Sequence, residues 1–228
     1  MKWIVSKVNP SANFCTIYEA ILNANDDDEI YIYTGHYKEK LIINKEIKII
    51  GVGKVIICND CDLMDHVISI KEKCNIDNLT IISNNSNILY IYNCMDVEIH
   101  NCKMISYSQN CINIYDAGFF TIKNCIMESK KNAIDYNNIL NVFNHSGTII
   151  NSNIVSDENC IKLFNNSNLS IINSTLKSNY KCATLYENTY LVIKESSIQT
   201  PNHNYILFKK NANPKHNLLI EDVSFIYN

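Results

Sequence analysis

Arginine is absent from this 228-residue chain: all 20 cationic side chains are lysine. The bidentate guanidinium fork that grips phosphate and carboxylate is therefore missing. With a formal net charge of −3 there is also no basic stripe to follow a nucleic-acid backbone, and no nucleic acid is expected as a partner. Glycine occurs five times and proline three times, too rarely for a collagen-like or linker-rich composition. No apolar run reaches the length of a membrane span. From Met1 to Asn13 only Trp3-Ile4-Val5 is apolar before Ser6 and Lys7, so a signal-peptide core is lacking. An intracellular (cytoplasmic) location without membrane contact is expected.

What the chain has instead is 38 Ile and 36 Asn, a bias that, with Lys in place of Arg, points to an A+T-rich genome. At 46% apolar residues the length suits one domain with a continuous core. Ten cysteines are a modest density for this size, and reduced, buried thiols acting as small apolar fillers are expected.

From Val67 onward the sequence returns to one pattern about every 22 residues. Its first block is a short alternating strand: Val67-Ile68-Ser69-Ile70, Ile88-Leu89-Tyr90-Ile91, Cys111-Ile112-Asn113-Ile114, Ala133-Ile134-Asp135-Tyr136, Cys160-Ile161-Lys162-Leu163, Cys182-Ala183-Thr184-Leu185 and Tyr205-Ile206-Leu207-Phe208. The period of two marks a strand with one buried face. The second block reads Ile-x-Asn-small-x-apolar, as in Ile99 to Met104, Ile122 to Met127, Ile149 to Ile154 and Ile171 to Leu176; looser copies place Asn78, Glu195 and Asp222 in the Asn position. Repeats this short leave no room for a crossover helix and predict a parallel β-solenoid whose coils stack at roughly 4.8 Å. Asn tolerates the left-handed backbone of a tight corner, and its amide can bond to the Asn of the next coil.

These residues resemble the right-handed parallel β-helix of the pectin-lyase-like superfamily, which includes sugar hydrolases, lyases, carbohydrate binders and the β-helix region of certain F-box proteins. Thr16-Ile17-Tyr18-Glu19-Ala20-Ile21, then Asp28 to Ile32, Gly35-His36-Tyr37-Lys38-Glu39 and Ile47 to Gly51, look like that family's opening: a capping helix, a strand, a G-x-Y-x-E stretch and a second strand ending in Gly. The expected fold is an all-β, single-stranded right-handed parallel β-helix in one domain, 1–228. Residues 1–28 form the N-terminal cap region, 29–66 irregular first coils and 67–228 regular coils with an Asn ladder. Nothing after Glu221 resembles a second cap, so self-association through the C-terminal coil is expected, with Phe225 and Ile226 at the contact.

In the resemblance the Ile68-Ile70 series is the first sheet, whose outward face usually carries ligands. Its outward positions would be Ser69, Lys71, Tyr90, Tyr92, Asn113, Tyr115, Asp135, Asn137, Lys162, Phe164, Thr184 and Tyr186. Of these, Tyr90, Tyr92, Asn113, Tyr115, Asn137, Phe164, Thr184 and Tyr186 are the candidate ligand contacts: aromatic rings beside amides and a hydroxyl, able to stack on sugars or grip a peptide. β-Propensity alone would also place Tyr and Phe there. For lyases and methylesterases the resemblance implies an Arg near acidic groups, so those chemistries are not expected here. A glycoside hydrolase needs two carboxyls at fixed separation; Asp116 and Asp135, with Lys162 one coil away, are the candidates, although they lie outside the family's Asn-Thr-Asp, Asp-Asp and Gly-His-Gly contexts. Asp26-Asp27-Asp28 reads as a solvated turn. Cys58 and Cys61 have the spacing of half a zinc site, with His66 and Cys74 as further donors, but a second well-spaced pair is missing. No cofactor is expected. The sequence therefore favours a non-catalytic scaffold that binds a glycan or an extended protein segment. The alternatives are a glycoside hydrolase using Asp135 and Asp116 and an assembly protein using the last coil.

Overall fold

The computed structural model describes residues 1–59, 65–138, 146–201, 205–208 and 218–226. The alternation at Ile68-Ser69-Ile70 and its repeats folds into eight stacked parallel strands: Leu41–Ile43, His66–Ile70, Asn87–Tyr92, Ile112–Tyr115, Ile134–Asn137, Asn159–Phe164, Lys181–Leu185 and Ile206–Phe208. We call this sheet 1. The residues Ile68, Leu89, Ile112, Ile134 and Ile161 stand in register on its inner face, every one fully buried. Each such side chain removed from water contributes about 1.5–3 kcal/mol, and the repeat aligns them in columns.

Two further walls complete each coil. Sheet 2 is built from Cys74–Asp77, Val97–His100, Phe119–Lys123, Ser146–Ile150, Asn168–Ile172, Tyr190–Lys194 and Leu218–Glu221. Sheet 3 comprises Thr80–Ser83, Lys103–Ser106, Ile126–Ser129, Asn153–Ser156, Thr175–Ser178, Ser197–Gln199 and Ser224–Ile226. In the first coils the strands Glu29–Lys38 and Ile47–Cys58 pass through both walls without a break, so hydrogen bonding joins them with Lys2–Val5 into one 17-stranded sheet. On the last described strand Phe225 and Ile226 are exposed.

From Asn78 onward a corner separates sheets 2 and 3. Asn78, Asn101, Asn124, Asn151 and Asn173 have φ of 56°, 52°, 54°, 51° and 47°, and Glu195 and Asp222 take the same left-handed position at 48° and 51°. The ladder amides of Asn124, Asn151 and Asn173 each donate to the Oδ1 of the preceding Asn, at 3.1, 3.3 and 2.9 Å. The amide chain starts one coil later than the sequence implies. Asn101 donates to Asp77 Oδ1 at 2.7 Å, and Asn78 donates instead to the Gly51 carbonyl at 2.8 Å. Gly51 is required there because a Cβ would meet the Asn78 carbonyl oxygen at 2.1 Å.

The small residue after each corner has a bonding role beyond filling space. Cys102 N–H donates to Cys125 Sγ, Cys125 N–H to Ser152 Oγ, Ser152 N–H to Ser174 Oγ and Ser174 N–H to Ser196 Oγ, at 3.4, 3.1, 3.1 and 3.1 Å. A backbone donor that the corner turns away from its sheet is thereby satisfied from the next coil. The nine described cysteines are free thiols, seven of them buried.

The helix Ile17–Asn23 closes the first coil with Ile17, Ala20 and Ile21 buried. Its N-terminus is capped by Thr16, whose Oγ accepts from Glu19 N–H at 3.2 Å. The G-x-Y-x-E stretch acquires a physical meaning here. Tyr37 is fully buried with its hydroxyl donating to the Tyr33 carbonyl at 2.8 Å, and the Glu39 carboxylate accepts from Ile17 and Tyr18 N–H at 3.2 and 2.8 Å. At the other end Lys45 Nζ donates to the carbonyls of Ile21, Leu22 and Ala24 at 3.0, 2.7 and 2.5 Å. A carboxylate at the helix N-terminus and an ammonium at its C-terminus both complement the helix dipole.

The reading of Asp26-Asp27-Asp28 as a solvated turn is corrected at Asp28, which is only 4% exposed. Its carboxylate accepts from the Met1 ammonium, from Asn25 N–H at 2.8 Å and from Trp3 Nε1 at 2.9 Å. These bonds, the ammonium's first, hold its pKa down to about 2. A depressed carboxylate favours the folded state above its unfolded pKa, and that contribution disappears as pH falls through the folded value. Asp28→Asn is therefore expected to lower the urea midpoint at neutral pH, with the gap to wild type closing as pH falls from about 4 towards 2. A gap that stays constant down to the lowest pH would refute the assignment.

Candidate functional site

Alternation sends every second residue of sheet 1 outward, and parallel register sorts those residues into files. One file runs Ser69, Tyr90, Asn113, Asp135, Lys162 and Thr184. A second runs Tyr92, Tyr115, Asn137 and Phe164. The aromatic residues form two platforms. In the first, Tyr90 stacks on Tyr92 with centroids 5.8 Å apart, tilts against Tyr115 at 5.7 Å and carries His66 on its face at 4.5 Å. In the second, Phe164 and Tyr186 stack at 4.2 Å, and Lys162 Nζ lies 4.9 Å from the Phe164 centroid. Asn137 separates them, so Tyr115 and Phe164 stand two rungs, roughly 9–10 Å, apart.

Polar groups fill the space between the rings. Asn113 accepts from Asn110 Nδ2 at 2.8 Å and lies 3.3 Å from His66 Nε2, while Asn137 Oδ1 accepts from Asn165 Nδ2 at 2.8 Å. Burial pushes the phenols of Tyr90 and Tyr115 upward, keeping them neutral and able to donate hydrogen bonds at physiological pH. Burial likewise draws His66 down to about 4 despite the opposing charge of Asp65, so its imidazole is neutral. The face offers rings, amides, the Lys162 ammonium and the Asp135 carboxylate.

Several expected site residues take other roles. Thr184 is buried and donates from Oγ1 to Asn159 Oδ1 at 2.7 Å, which removes it from the ligand contacts. The bond extends a second amide ladder at the entry to sheet 1, in which Asn110 and Asn132 N–H donate to the side-chain oxygens of Asn87 and Asn110 at 3.1 and 3.0 Å. Asn159 Nδ2 reaches Asn132 Oδ1 at 2.8 Å. The Asn-small-Ile beginning of Asn110, Asn132 and Asn159 carried that signal in the sequence.

Asp135 and Lys162 do lie side by side in register, and burial raises the Asp135 carboxyl against the lowering effect of Lys162. Asp116 does not join them. Asp135 is level with Asn113, so Asp116 lies three residues further along the strand direction, about 10 Å, at a left-handed corner with φ of 48°. It is also buried, and no level, open carboxylate pair is formed.

The candidate zinc donors are likewise dispersed. His66 belongs to the first aromatic platform, Cys74 is buried at the start of sheet 2, and Cys61 lies outside the described residues. Cys58 faces His36, a residue the spacing did not single out, with Sγ 3.1 Å from Nε2. Among the described residues no group of three His, Cys, Asp or Glu side chains is placed to hold a metal ion.

Away from sheet 1, a cleft of about 380 Å³ opens where the chain turns into sheet 2, lined by Glu46, Lys48, Lys73, Asp96, Glu98 and Phe119 among others. The aromatic face instead runs along the stacking direction over successive coils. Such a surface fits an elongated ligand lying along it better than a compact one needing enclosure. No helix is long and apolar enough to cross a membrane, among the described residues.

No family model matches the sequence, and no curated protein does. Solved structures do match, over nearly the whole chain. Pectin methylesterase PemA from Erwinia chrysanthemi superposes with a TM-score of 0.70 at 13% identity, covering 98% of this chain and 89% of that one. A pectin methylesterase in complex with a hexasaccharide gives 0.71 at 14% identity, covering 98% and 89%. Jun a 1, the major allergen from cedar pollen, gives 0.70 at 10% identity, covering 99% and 77%. The chain thus has the pectin-lyase-like β-helix fold. Identities this low establish the fold alone.

Proposed function

We propose that the protein is a non-catalytic recognition scaffold that binds an extended glycan along the outer face of sheet 1. The observation that carries this reading is the pair of aromatic platforms, Tyr90-Tyr92-Tyr115 and Phe164-Tyr186, set on rigid strands two rungs apart with amides between them. Flat rings offer stacking area to the apolar faces of sugars, and neutral phenols and amides offer hydrogen bonds to their hydroxyls. Because the coils fix the ring positions before binding, little ordering entropy is lost on association. A fold neighbour crystallised with a hexasaccharide supports the glycan class, and the absence of Arg from this chain weighs against methylesterase or lyase chemistry.

The test is a glycan array probed with wild type and with the Tyr92→Ala/Tyr115→Ala/Tyr186→Ala variant, whose unchanged far-UV dichroism shows the coils intact. Each ring lost is expected to remove about 1–2 kcal/mol of contact, so the triple variant should bind at least about a hundredfold more weakly. Equal retention of both proteins would overturn the reading. Turnover of a polysaccharide, lost in Asp135→Asn, would replace it with a hydrolase centred on that raised carboxyl. Retention on a peptide array instead would move the ligand to an extended protein segment.

A further inference from the structure

Nine cysteines are described, and they divide sharply by surroundings. Seven are buried; of these Cys94, Cys111 and Cys160 have thiols that burial pushes up to about 12, which leaves them protonated and out of reach. Cys15 is exposed, and Cys58 is half-buried. Only Cys58, among the described cysteines, has an imidazole within hydrogen-bonding range: its Sγ is 3.1 Å from His36 Nε2.

The position follows from the backbone. Cys58 ends the strand Ile47–Cys58 level with Lys38 of the strand Glu29–Lys38, and His36 lies two residues back on that strand, on the same outer face. Asp60, two residues after Cys58, lies outside the described residues. Lys38 is level with Cys58, Lys7 Nζ donates to the His36 carbonyl at 2.6 Å, and Glu39, whose N–H donates to the Cys58 carbonyl at 3.0 Å, brings a carboxylate to the same turn. That carboxylate is turned away to the helix N-terminus. On its other side Cys58 is level with Ile82, which adds no charge. An adjacent imidazole is a condition that favours a thiolate.

We infer that Cys58 and His36 form an activated thiol, a site of covalent modification by soft electrophiles and hydroperoxides, separate from the aromatic face of sheet 1. The thiol proton passes to His36 Nε2, giving a thiolate beside an imidazolium. With an alkyl halide the thiolate attacks carbon, the S–C bond forms, and halide leaves with the electrons of the broken bond. With hydrogen peroxide the thiolate attacks one oxygen and the O–O bond breaks. The departing hydroxide takes the imidazolium proton as water, so sulfur is oxidised to sulfenic acid and the peroxide is reduced. Two donors do not make a structural zinc site, which takes four.

The experiment is a short iodoacetamide pulse on the full-length chain, read at each cysteine by peptide mass spectrometry. At about pH 6.5, where an ordinary thiol is only about 1% thiolate, Cys58 should be alkylated roughly tenfold faster than Cys15. In His36→Ala, and again in His36→Gln, the Cys58 rate should fall about tenfold and regain the steep pH dependence of an ordinary thiol, with Cys15 unchanged. His36 is exposed, so neither change disturbs the core. A Cys58 rate no greater than that of Cys15, or one indifferent to both substitutions, refutes the pairing.

Discussion

Gly147→Leu is expected to destabilise the protein by about 3 kcal/mol, although leucine is what the repeat would suggest at that position. The inward file of sheet 2 runs Val97, Phe120, Gly147, Leu169 and Leu191, and a solenoid stacks each of these on the next. Phe120 is the largest member, and its ring meets Tyr136 edge-on at 5.2 Å. That ring occupies the space above residue 147: a Cβ at Gly147 would come within 2.0 Å of Phe120 Cζ. The glycine is therefore the volume complement of the phenylalanine one rung below. Chemical denaturation of Gly147→Leu, Phe120→Val and the double variant checks this. The two changes should couple, the double variant being more stable than the sum of the single losses predicts by about 1–3 kcal/mol. Simple additivity would show that the two residues do not share one space.

Asn151→Ala should cost about 2–3 kcal/mol, and Asn151→Gly distinctly less. Two contributions separate at this corner. The backbone sits at φ 51°, which costs alanine about 1–2 kcal/mol and glycine nothing of that kind. The side chain donates to Asn124 and accepts from Asn173, and each lost bond is worth about 0.5–1.5 kcal/mol net. Asn173→Ala, nearer the end of the amide chain but at φ 47°, keeps the backbone cost with the same bond count on one side only. Urea midpoints for the three variants would rank them. An Asn151→Ala chain as stable as wild type would mean that neither the corner nor the ladder contributes.

How much of this could be read in the sequence depended on whether the determinant was periodic. Ile112 and Ile134 are inward and adjacent because alternation and spacing alone require it. The Asn corners were legible for the same reason, since one residue type repeats where one backbone conformation repeats. What escaped was set by single contacts. Asn78 bonds to Gly51 because the first coils have no corner, a fact that resides in unbroken strands and not in the repeat. Thr184 fits the outward pattern yet is covered, and its hydroxyl belongs to a ladder running perpendicular to the chain. His66 appeared as a metal donor by its distance from Cys61 along the sequence, whereas its environment is Tyr90, 24 residues on. Cys58 and His36 are separated by 22 residues and meet only because one coil intervenes.

The turns with Asn124, Asn151 and Asn173 at their corners return three kinds of group to the same place: an amide that donates to the neighbouring amide, a left-handed backbone, and a small thiol or hydroxyl that receives the orphaned N–H. Length is consequently quantised. A gain or loss of one entire winding leaves all three files continuous, whereas removing a few residues within a winding would shift each file against the next and break them together. Evolution can alter the reach of such a rod freely in whole steps, and hardly at all between them.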